Sequence, residues 1–520
     1  MAKSLQLEFI SQGSIAPGGR DCVYIDRECE KFLDNLEQSP SPNVIILKEK
    51  QRQRRLINLI PSANYTGQSV LNALGSILQS TYNVWRTAAL ITAYLRKDPN
   101  SEGYIGKKYY PGTQYMDKIE RLCQQRALEA FNLNDTAWAV NVQCGCCVGN
   151  YTSSQPVVYC FAHHELAKAA YSQQLSCLQA CSAILRPHDR LLTLESSHGS
   201  YLSKYFTTQS FHAYRSAAAG DYEVLKDFIN VYQPRLLLST TSASNWLIDH
   251  QAMSTVCRPL GIFVLADITE TSGLVASGLV ASPFEHADVV ITGTQGSLRG
   301  PSGALIFSRR TALVQRTDTK DTEEVCSLGD AINQSVFPGH QGGPHNHAIM
   351  AMAVALKQVT TQSFKDYQKL VLANTEALAK RLLDLGYCLD CSNTSTHHLV
   401  VRLGTVDAEL VKRILDAICV ASKITVAENE LHIGTLAMTS RGLLPDDFYW
   451  VADIIHRGIS LAQKLSSIKY GNVNDDFAGA ESLSSSFVEA GQTCSMHDSK
   501  LIETRKEVED WMDRLKVLSN

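Results

Sequence analysis

Cysteine and histidine are the first residues here whose types and spacing suggest chemistry, with 15 of each in 520 residues. Cys388 and Cys391 form a CxxC pair with His397 and His398 a few positions on, and Cys144, Cys146 and Cys147 make a second cluster. A structural zinc needs four ligands of compatible geometry. The two clusters lie far apart in the chain, so incidental free thiols are the favoured reading and no metal is expected. A different signal is Asp267, an isolated acid closing the apolar run IFVLAD. In an open α/β sheet, ligands collect at the carboxyl ends of the strands, so Asp267 reads either as a helix N-cap or as a ligand contact. Gly342 and Gly343, in QGGP, suit a tight turn.

Such residues need elements to hold them. Residues 235–240, 262–268, 288–294 and 304–308 are short, near-continuous apolar runs, as expected of strands covered on both faces. The spacing between them leaves room for helices, which predicts an α/β fold with a mostly parallel sheet. Past Gly343 the pattern changes. Residues 344–361 and 362–384 read as helices, 398–403 as a strand and 406–418 as a helix, which predicts a second, smaller domain. Residues 469–498 are rich in Ser, Gly, Asn and Asp, which suits a flexible linker. Helical period returns over residues 499–518, with Leu501, Val508, Trp511, Leu515 and Leu518 on one face. That face suits packing on its own chain better than docking a partner helix.

Composition narrows the function classes. With 48 Lys+Arg against 52 Asp+Glu the net charge is −4, so a strongly basic nucleic-acid footprint is absent and no DNA partner is expected. Hydrophobic residues at 44% and charged residues at 19% describe a globular chain. No apolar run approaches the roughly 20 residues of a membrane span. The opening residues have neither the apolar core of a signal peptide nor the Arg-rich look of a transit peptide. With 15 cysteines, a reducing compartment follows. The expectation is cytoplasmic, with mitochondrial as the alternative.

Five longer stretches are more specific: EGYIGKKYY (102–110), YMDKIERLCQQRALEAF (115–131), residues 272–307, 336–358 and HIGTLAMTSRG (432–442). Together they resemble the serine hydroxymethyltransferase family of fold-type I pyridoxal-phosphate (PLP) enzymes, from about residue 49 to about residue 461. The resemblance implies a large domain built on a mainly parallel, seven-stranded sheet and a smaller C-terminal α/β domain. It implies an enzyme of glycine, serine and tetrahydrofolate one-carbon metabolism, working as a homo-oligomer (dimer or tetramer) with sites at the subunit interface. Domain boundaries are expected at 1–60 for an N-terminal arm, 61–345 for the large domain, 346–468 for the small domain and 469–520 for linker and terminal helix.

The chemistry of that family divides labour. PLP is an electron sink, and the protein supplies attachment, orientation and electrostatics. By the resemblance, Asp267 partners the pyridine nitrogen, Ser242 lies near the cofactor ring, and Arg441 grips the substrate carboxylate. Glu102 matches the catalytic glutamate and Tyr109 and Tyr110 its tyrosine pair. Gly342 and Gly343 match a turn that reaches the phosphate of the neighbouring subunit. Tetrahydrofolate is the implied co-substrate, with glycine and serine as the amino acids.

The sequence departs from the family at the centre of this machinery. The family motif T-H-K-T-L-R-G-P, whose lysine carries PLP, reads here Thr294-Gln295-Gly296-Ser297-Leu298-Arg299-Gly300-Pro301. Gly296 stands at the lysine position and Gln295 at that of the preceding histidine. Glycine has no amine and cannot form an imine. Glu270 stands where a histidine near the cofactor is expected, and its charge opposes that of the cofactor's phenolate. Tyr201 replaces the stacking histidine, a milder change because tyrosine also stacks. Residues 144–150 (CGCCVGN) replace a Ser-Gly-Ser phosphate turn, Ala63 replaces a glutamate, and insertions lie near 82–98 and 147–174. Intron retention would account for the insertions but not for a clean Lys-to-Gly exchange.

The expectation is therefore a family member with lost or weak catalysis. PLP binding should be weakened and not covalent through a lysine. Such a protein would persist as a pseudoenzyme homo-oligomer or as a regulatory subunit of a hetero-oligomer with an active paralogue. The alternatives are an active glycine hydroxymethyltransferase, and a scaffold binding partners through the C-terminal helix.

Overall fold

The computed structural model describes residues 42–80, 114–142, 145–147, 173–194, 202–211, 222–240, 247–317, 323–390, 395–471 and 499–515. The chain falls into two compact units, Met1–Leu56 and Ile57–Asn520. In the first, the described part is the helix Pro42–Arg55, on whose exposed face Arg52 is paired with Glu49 at 2.7 Å.

The second unit is built around a seven-stranded sheet. Its strands in chain order are β1 (Trp138–Asn141), β2 (Arg190–Thr193), β3 (Thr207–Ser210), β4 (Leu236–Thr240), β5 (Phe263–Asp267), β6 (Val289–Gly293) and β7 (Ala304–Arg309). Their spatial order is β1-β7-β6-β5-β4-β2-β3. All pairs are parallel except those of β7, which runs antiparallel to both neighbours. The near-continuous apolar runs explain why this sheet forms: successive side chains point to opposite faces, and both faces are covered. One face sends Leu192, Leu237, Val264, Ala266 and Val290 into a core with Phe131, Phe284 and Phe307. The other sends Leu191, Leu236, Leu238, Leu265, Val289 and Ile291 against the helices Gln173–Ile184 and Leu328–Gln334.

The smaller lobe holds an antiparallel sheet, Cys388–Leu389, His398–Arg402, Glu430–Gly434 and Lys423–Thr425 in spatial order. The helices Gln362–Asp384, Ala408–Ala417 and Pro445–Gly471 enclose its core.

The boundaries of these lobes differ from those expected. Ile57 and Leu59, assigned to an N-terminal arm, are fully buried in the core of the smaller lobe, and Ile57–Asn58 pairs with Val420–Ala421. The helix Asn346–Val359, assigned to the small domain, places Ile349, Met352 and Leu356 in the core of the larger lobe. It is apolar nearly all round because it is buried on more than one side.

The C-terminal helix Ser499–Arg514 also finds its partner within the chain. Leu501, Val508 and Met512 are buried in the core of the smaller lobe, and Trp511 lies 4.2 Å from Trp450 between ring centroids. Arg457 pairs with Glu507 at 2.6 Å beside them. The apolar face thus packs on its own chain, the reading that the sequence favoured over docking a partner helix. Residues 472–498, read as a linker, and Leu518 lie outside the described residues.

Candidate functional site

The carboxyl ends of β5 and β6 form the edge where the motif residues meet. Asp267 closes β5 and is buried, and its Oδ1 accepts from the Thr269 amide at 3.0 Å and the Thr269 hydroxyl at 2.8 Å. The Thr269 hydroxyl in turn accepts from the Gly293 amide at 2.9 Å, so one side chain ties the end of β5 to the end of β6. No helix N-cap role is needed to account for Asp267. These two bonds come from its own turn.

After β6 the chain makes the turn Gly296–Leu298. Gly296 adopts φ +58°, a left-handed backbone that L side chains rarely enter, and a Cβ there would lie 3.2 Å from the Ser62 carbonyl oxygen. Its own carbonyl accepts from Asn64 Nδ2 at 2.8 Å. The same Nδ2 donates to the Tyr367 hydroxyl at 2.9 Å, which donates onward to the Leu436 carbonyl at 3.1 Å. Asn64 Oδ1 accepts from Ser440 Oγ at 2.6 Å and from the Tyr65 amide at 2.8 Å. Asn64 therefore uses its full amide capacity, joining the Gly296 turn to the segment that carries Arg441. Burial pushes the Tyr367 phenol up, and the Arg299 guanidinium lies 5.2 Å from its ring centroid.

Arg441 is buried at the end of the helix Leu436–Ser440. Glu270 Oε2 lies 3.6 Å from His397 Nε2, and that ring nitrogen is also 3.0 Å from the Pro61 carbonyl oxygen. The carboxylate that sequence placed beside a cofactor is thus turned toward a fully buried histidine of the smaller lobe. Gln295 is exposed and donates to Ser302 Oγ at 2.7 Å.

Gly342 and Gly343 lie in the short strand Gln341–Pro344, which pairs antiparallel with Gly145–Cys147 of the same chain. The resemblance sends this turn to a neighbouring subunit; here its backbone runs beside the segment that replaces the phosphate turn. Glu102, Tyr109, Tyr110, Ser242, Tyr201, Cys144 and Cys391 lie outside the described residues, as do residues 82–98 and 148–172 of the two insertions. Among the described residues, no group of three His, Cys, Asp or Glu side chains is arranged to hold a metal.

Sequence reasoning brought Asp267, Gly296, Glu270 and Arg441 to the site but missed Asn64, Thr269, Tyr367 and Ser440, and it singled out His397 only beside the CxxC pair. Three of these adjoin residues that were singled out: Asn64 follows Ala63, Ser440 precedes Arg441, and Thr269 falls between Asp267 and Glu270.

The family model described as serine hydroxymethyltransferase matches residues 37–455. The chain belongs to the serine hydroxymethyltransferase family. A putative mitochondrial serine hydroxymethyltransferase of Neurospora crassa is 37% identical over 521 residues, covering 93% of this chain and 86% of that protein. The cytosolic serine hydroxymethyltransferase of Aspergillus fumigatus is 37% identical over 511 residues, covering 93% of this chain and 96% of its own length. The mitochondrial enzyme of Schizosaccharomyces pombe is 37% identical over 454 residues, covering 83% and 84%. The family reading of the sequence motifs is borne out, and with it the fold class. The family serves serine, glycine and folate one-carbon metabolism, generally uses PLP and tetrahydrofolate, and is generally homo-oligomeric. These relatives carry both mitochondrial and cytosolic names. Among the described residues no helix is long and apolar enough to cross a membrane.

The described residues fit that cofactor only in part. Asp267 and Arg441 are both buried and carry the charges that the resemblance asks of them. The motif position that the resemblance gives to the amine has no side chain, so a cofactor held through an amine at this position does not fit.

Proposed function

We propose that this chain is a catalytically impaired serine hydroxymethyltransferase family protein that keeps the fold. The observation that carries this is Gly296: it has no amine, its backbone is left-handed, and Asn64 holds its carbonyl in place. Glu270, a carboxylate where the resemblance expects a histidine and 3.6 Å from His397 Nε2, supports the same reading. The protein then acts as a homo-oligomer, or as a regulatory subunit assembled with an active paralogue, in the cytoplasm or in the mitochondrion. Any PLP it takes is held without a covalent bond to lysine. Arg441 remains suited to an amino-acid carboxylate, glycine or serine, by its fork of donors.

A second reading, an active glycine hydroxymethyltransferase, draws on the buried Asp267 and Arg441. The two separate in one preparation. The purified protein is mixed with PLP, reduced with borohydride and mapped for labelled lysine, and serine-dependent formation of methylenetetrahydrofolate is measured against a no-enzyme blank. No labelled lysine and no rate above the blank is the expected result. A labelled lysine, or a rate well above the blank, overturns the impaired reading.

A further inference from the structure

The helix Gln362–Asp384 runs through both lobes. Phe364 sits in the core of the larger lobe, and Leu378 and Leu382 in that of the smaller. Between them the helix carries a polar seam. Tyr367, Asn374 and Thr375 stand at i, i+7 and i+8, so they share a face. Gln368, Asn374 and Thr375 are fully buried. Burying polar groups is costly, and the cost is met here: Gln368 Oε1 and Asn374 Oδ1 have no partner among the described residues. An apolar seam would join the lobes without it. What a polar seam adds is a single fixed geometry.

Gln368 Nε2 donates to the Ser297 carbonyl at 3.0 Å, beside Gly296. The other three side chains reach residues 435–443, the stretch that carries Arg441. The Tyr367 hydroxyl donates to the Leu436 carbonyl at 3.1 Å and lies 3.2 Å from Ser440 Oγ, so it touches the first and last residues of the helix Leu436–Ser440. Asn374 Nδ2 donates to Thr439 Oγ1 at 2.8 Å and to the Leu443 carbonyl at 3.0 Å, one contact on each side of Arg441. Thr375 Oγ1 lies 2.8 Å from Thr435 Oγ1. Thr435 stands at the N-cap position of that short helix, where a threonine ordinarily bonds the helix's own amides. Its hydroxyl makes no such bond and is turned instead to Thr375 and to the Val371 carbonyl at 3.2 Å. A helix of five residues has little stability of its own; this one is held from outside at both ends.

We propose that Tyr367, Asn374 and Thr375 are positioning residues: they fix the helix Leu436–Ser440 so that Arg441 presents its guanidinium squarely to the carboxylate of an amino acid. The inference rests on the reading of Arg441 as the partner of that carboxylate. A guanidinium reads a carboxylate through two parallel bonds, and a misplacement of about 1 Å at such a site can cost on the order of 100-fold.

Isothermal titration of the full chain with L-serine, and separately with L-serinamide, tests it at a pH of about 6, where both ligands carry an ammonium group. The two ligands differ only at the carboxylate, so the ratio of their dissociation constants reads the alignment of Arg441. A general loosening of the fold would weaken both alike. The unaltered chain should prefer serine about ten-fold or more, and Arg441→Gln should bring the ratio to about one. Tyr367→Phe, which removes one oxygen and keeps the ring, should lower the preference about three-fold, and Thr375→Val, which keeps the shape, about two- to three-fold. Thr375→Ser, which keeps the hydroxyl, should restore most of it. A preference lost in Arg441→Gln but unchanged in Tyr367→Phe and Thr375→Val overturns the proposal alone, and so does a Thr375→Ser chain that loses as much as Thr375→Val. If one of the two variants does not fold, the other decides. Absence of serine binding by the unaltered chain, or a preference that survives Arg441→Gln, overturns the reading of Arg441 and the proposal with it.

Discussion

The Asn64 carboxamide donates to the Gly296 carbonyl at 2.8 Å, and this one bond fastens the turn after β6 to the N-terminal edge of the smaller lobe. Through Ser440, at 2.6 Å from Asn64 Oδ1, the same side chain reaches the residue before Arg441. Gly296, which the resemblance sets at the family's lysine position, is therefore held by backbone contacts and a left-handed φ that favour glycine.

That arrangement predicts a poor outcome for simple restoration. Gly296→Lys must place a Cβ on a φ of +58°, 3.2 Å from the Ser62 carbonyl oxygen. A left-handed non-glycine residue costs roughly 1–2 kcal/mol. Gly296→Ala should show that cost alone in urea unfolding, and Gly296→Lys should show at least as much. After incubation with PLP and borohydride, Gly296→Lys should carry label on only a minor fraction of chains. Full labelling with unchanged stability would mean that the turn relaxes freely and that the glycine backbone is no barrier.

Asn64 itself should be sensitive. Asn64→Ala removes one bond from the Gly296 carbonyl, which keeps the Arg299 amide at 3.1 Å, and one from the Ser440 hydroxyl, which keeps the Tyr367 oxygen at 3.2 Å. Each hydrogen bond lost in this way costs about 0.5–1.5 kcal/mol, partly recovered where water enters. A loss of about 1–2 kcal/mol by denaturant titration is expected. Asn64→Asp keeps the acceptor for Ser440 but offers no donor to Gly296, so at neutral pH it should recover little of that loss.

Much of this architecture was legible in the sequence, and the reason is periodicity. Residues 362–384 read as a helix and form one over Gln362–Asp384, because its apolar stripe is buried along its length, Phe364 in the core of the larger lobe and Leu378 and Leu382 in that of the smaller. The strands β4 to β7 were visible as apolar runs because the sheet is covered on both faces. The helix Asn346–Val359 misled on domain membership because residues buried on several sides carry no stripe pointing to one partner. Ile57–Asn58 is only two residues long, and its pairing with Val420–Ala421 is fixed by contacts distant in sequence. At the site, charged and missing groups announced themselves: Asp267, Arg441, Glu270 and Gly296. The neutral connectors did not, since an asparagine or threonine gains its role only from partners such as Tyr367, 303 positions from Asn64.

The C-terminal helix makes a prediction about stability rather than binding. Trp511 stacks near Trp450, with Leu501, Val508 and Met512 buried beside it. Trp511→Ala should cost about 2–3 kcal/mol of smaller-lobe stability, the lower part of the range for a large core truncation because Trp511 is only half-buried. Arg457→Ala, which removes the partly exposed pair with Glu507, should cost less than about 1 kcal/mol. Truncation after residue 498 should lower the melting temperature by more than either. If truncation leaves stability unchanged, the helix does not contribute to the core.

Acid sensitivity should trace in part to His250. Burial, and then the neighbouring His286, hold its imidazole down at about 4 against an ordinary 6.5, while Asp249 pulls the other way. Its Nε2 lies 3.1 Å from the Ser239 hydroxyl. The folded state binds the proton less readily than the unfolded chain. Above pH 6.5 both states are neutral and His250 costs nothing. As pH falls from 6.5 toward 4 the unfolded chain takes up a proton that the folded chain refuses, so stability is lost across that window; below about 4 the loss levels off. The slope approaches roughly 1.4 kcal/mol per pH unit, for a total on the order of 1–3 kcal/mol. His398, pushed well below its ordinary value chiefly by burial and then by His432, adds in the same direction. Unfolding free energies at pH 7.5 and pH 5 should therefore differ less in His250→Asn than in the parent chain, whatever the variant's stability at pH 7.5. An unchanged difference would show that His250 titrates alike in both states, and that the acid response comes from His398 or from the carboxylates.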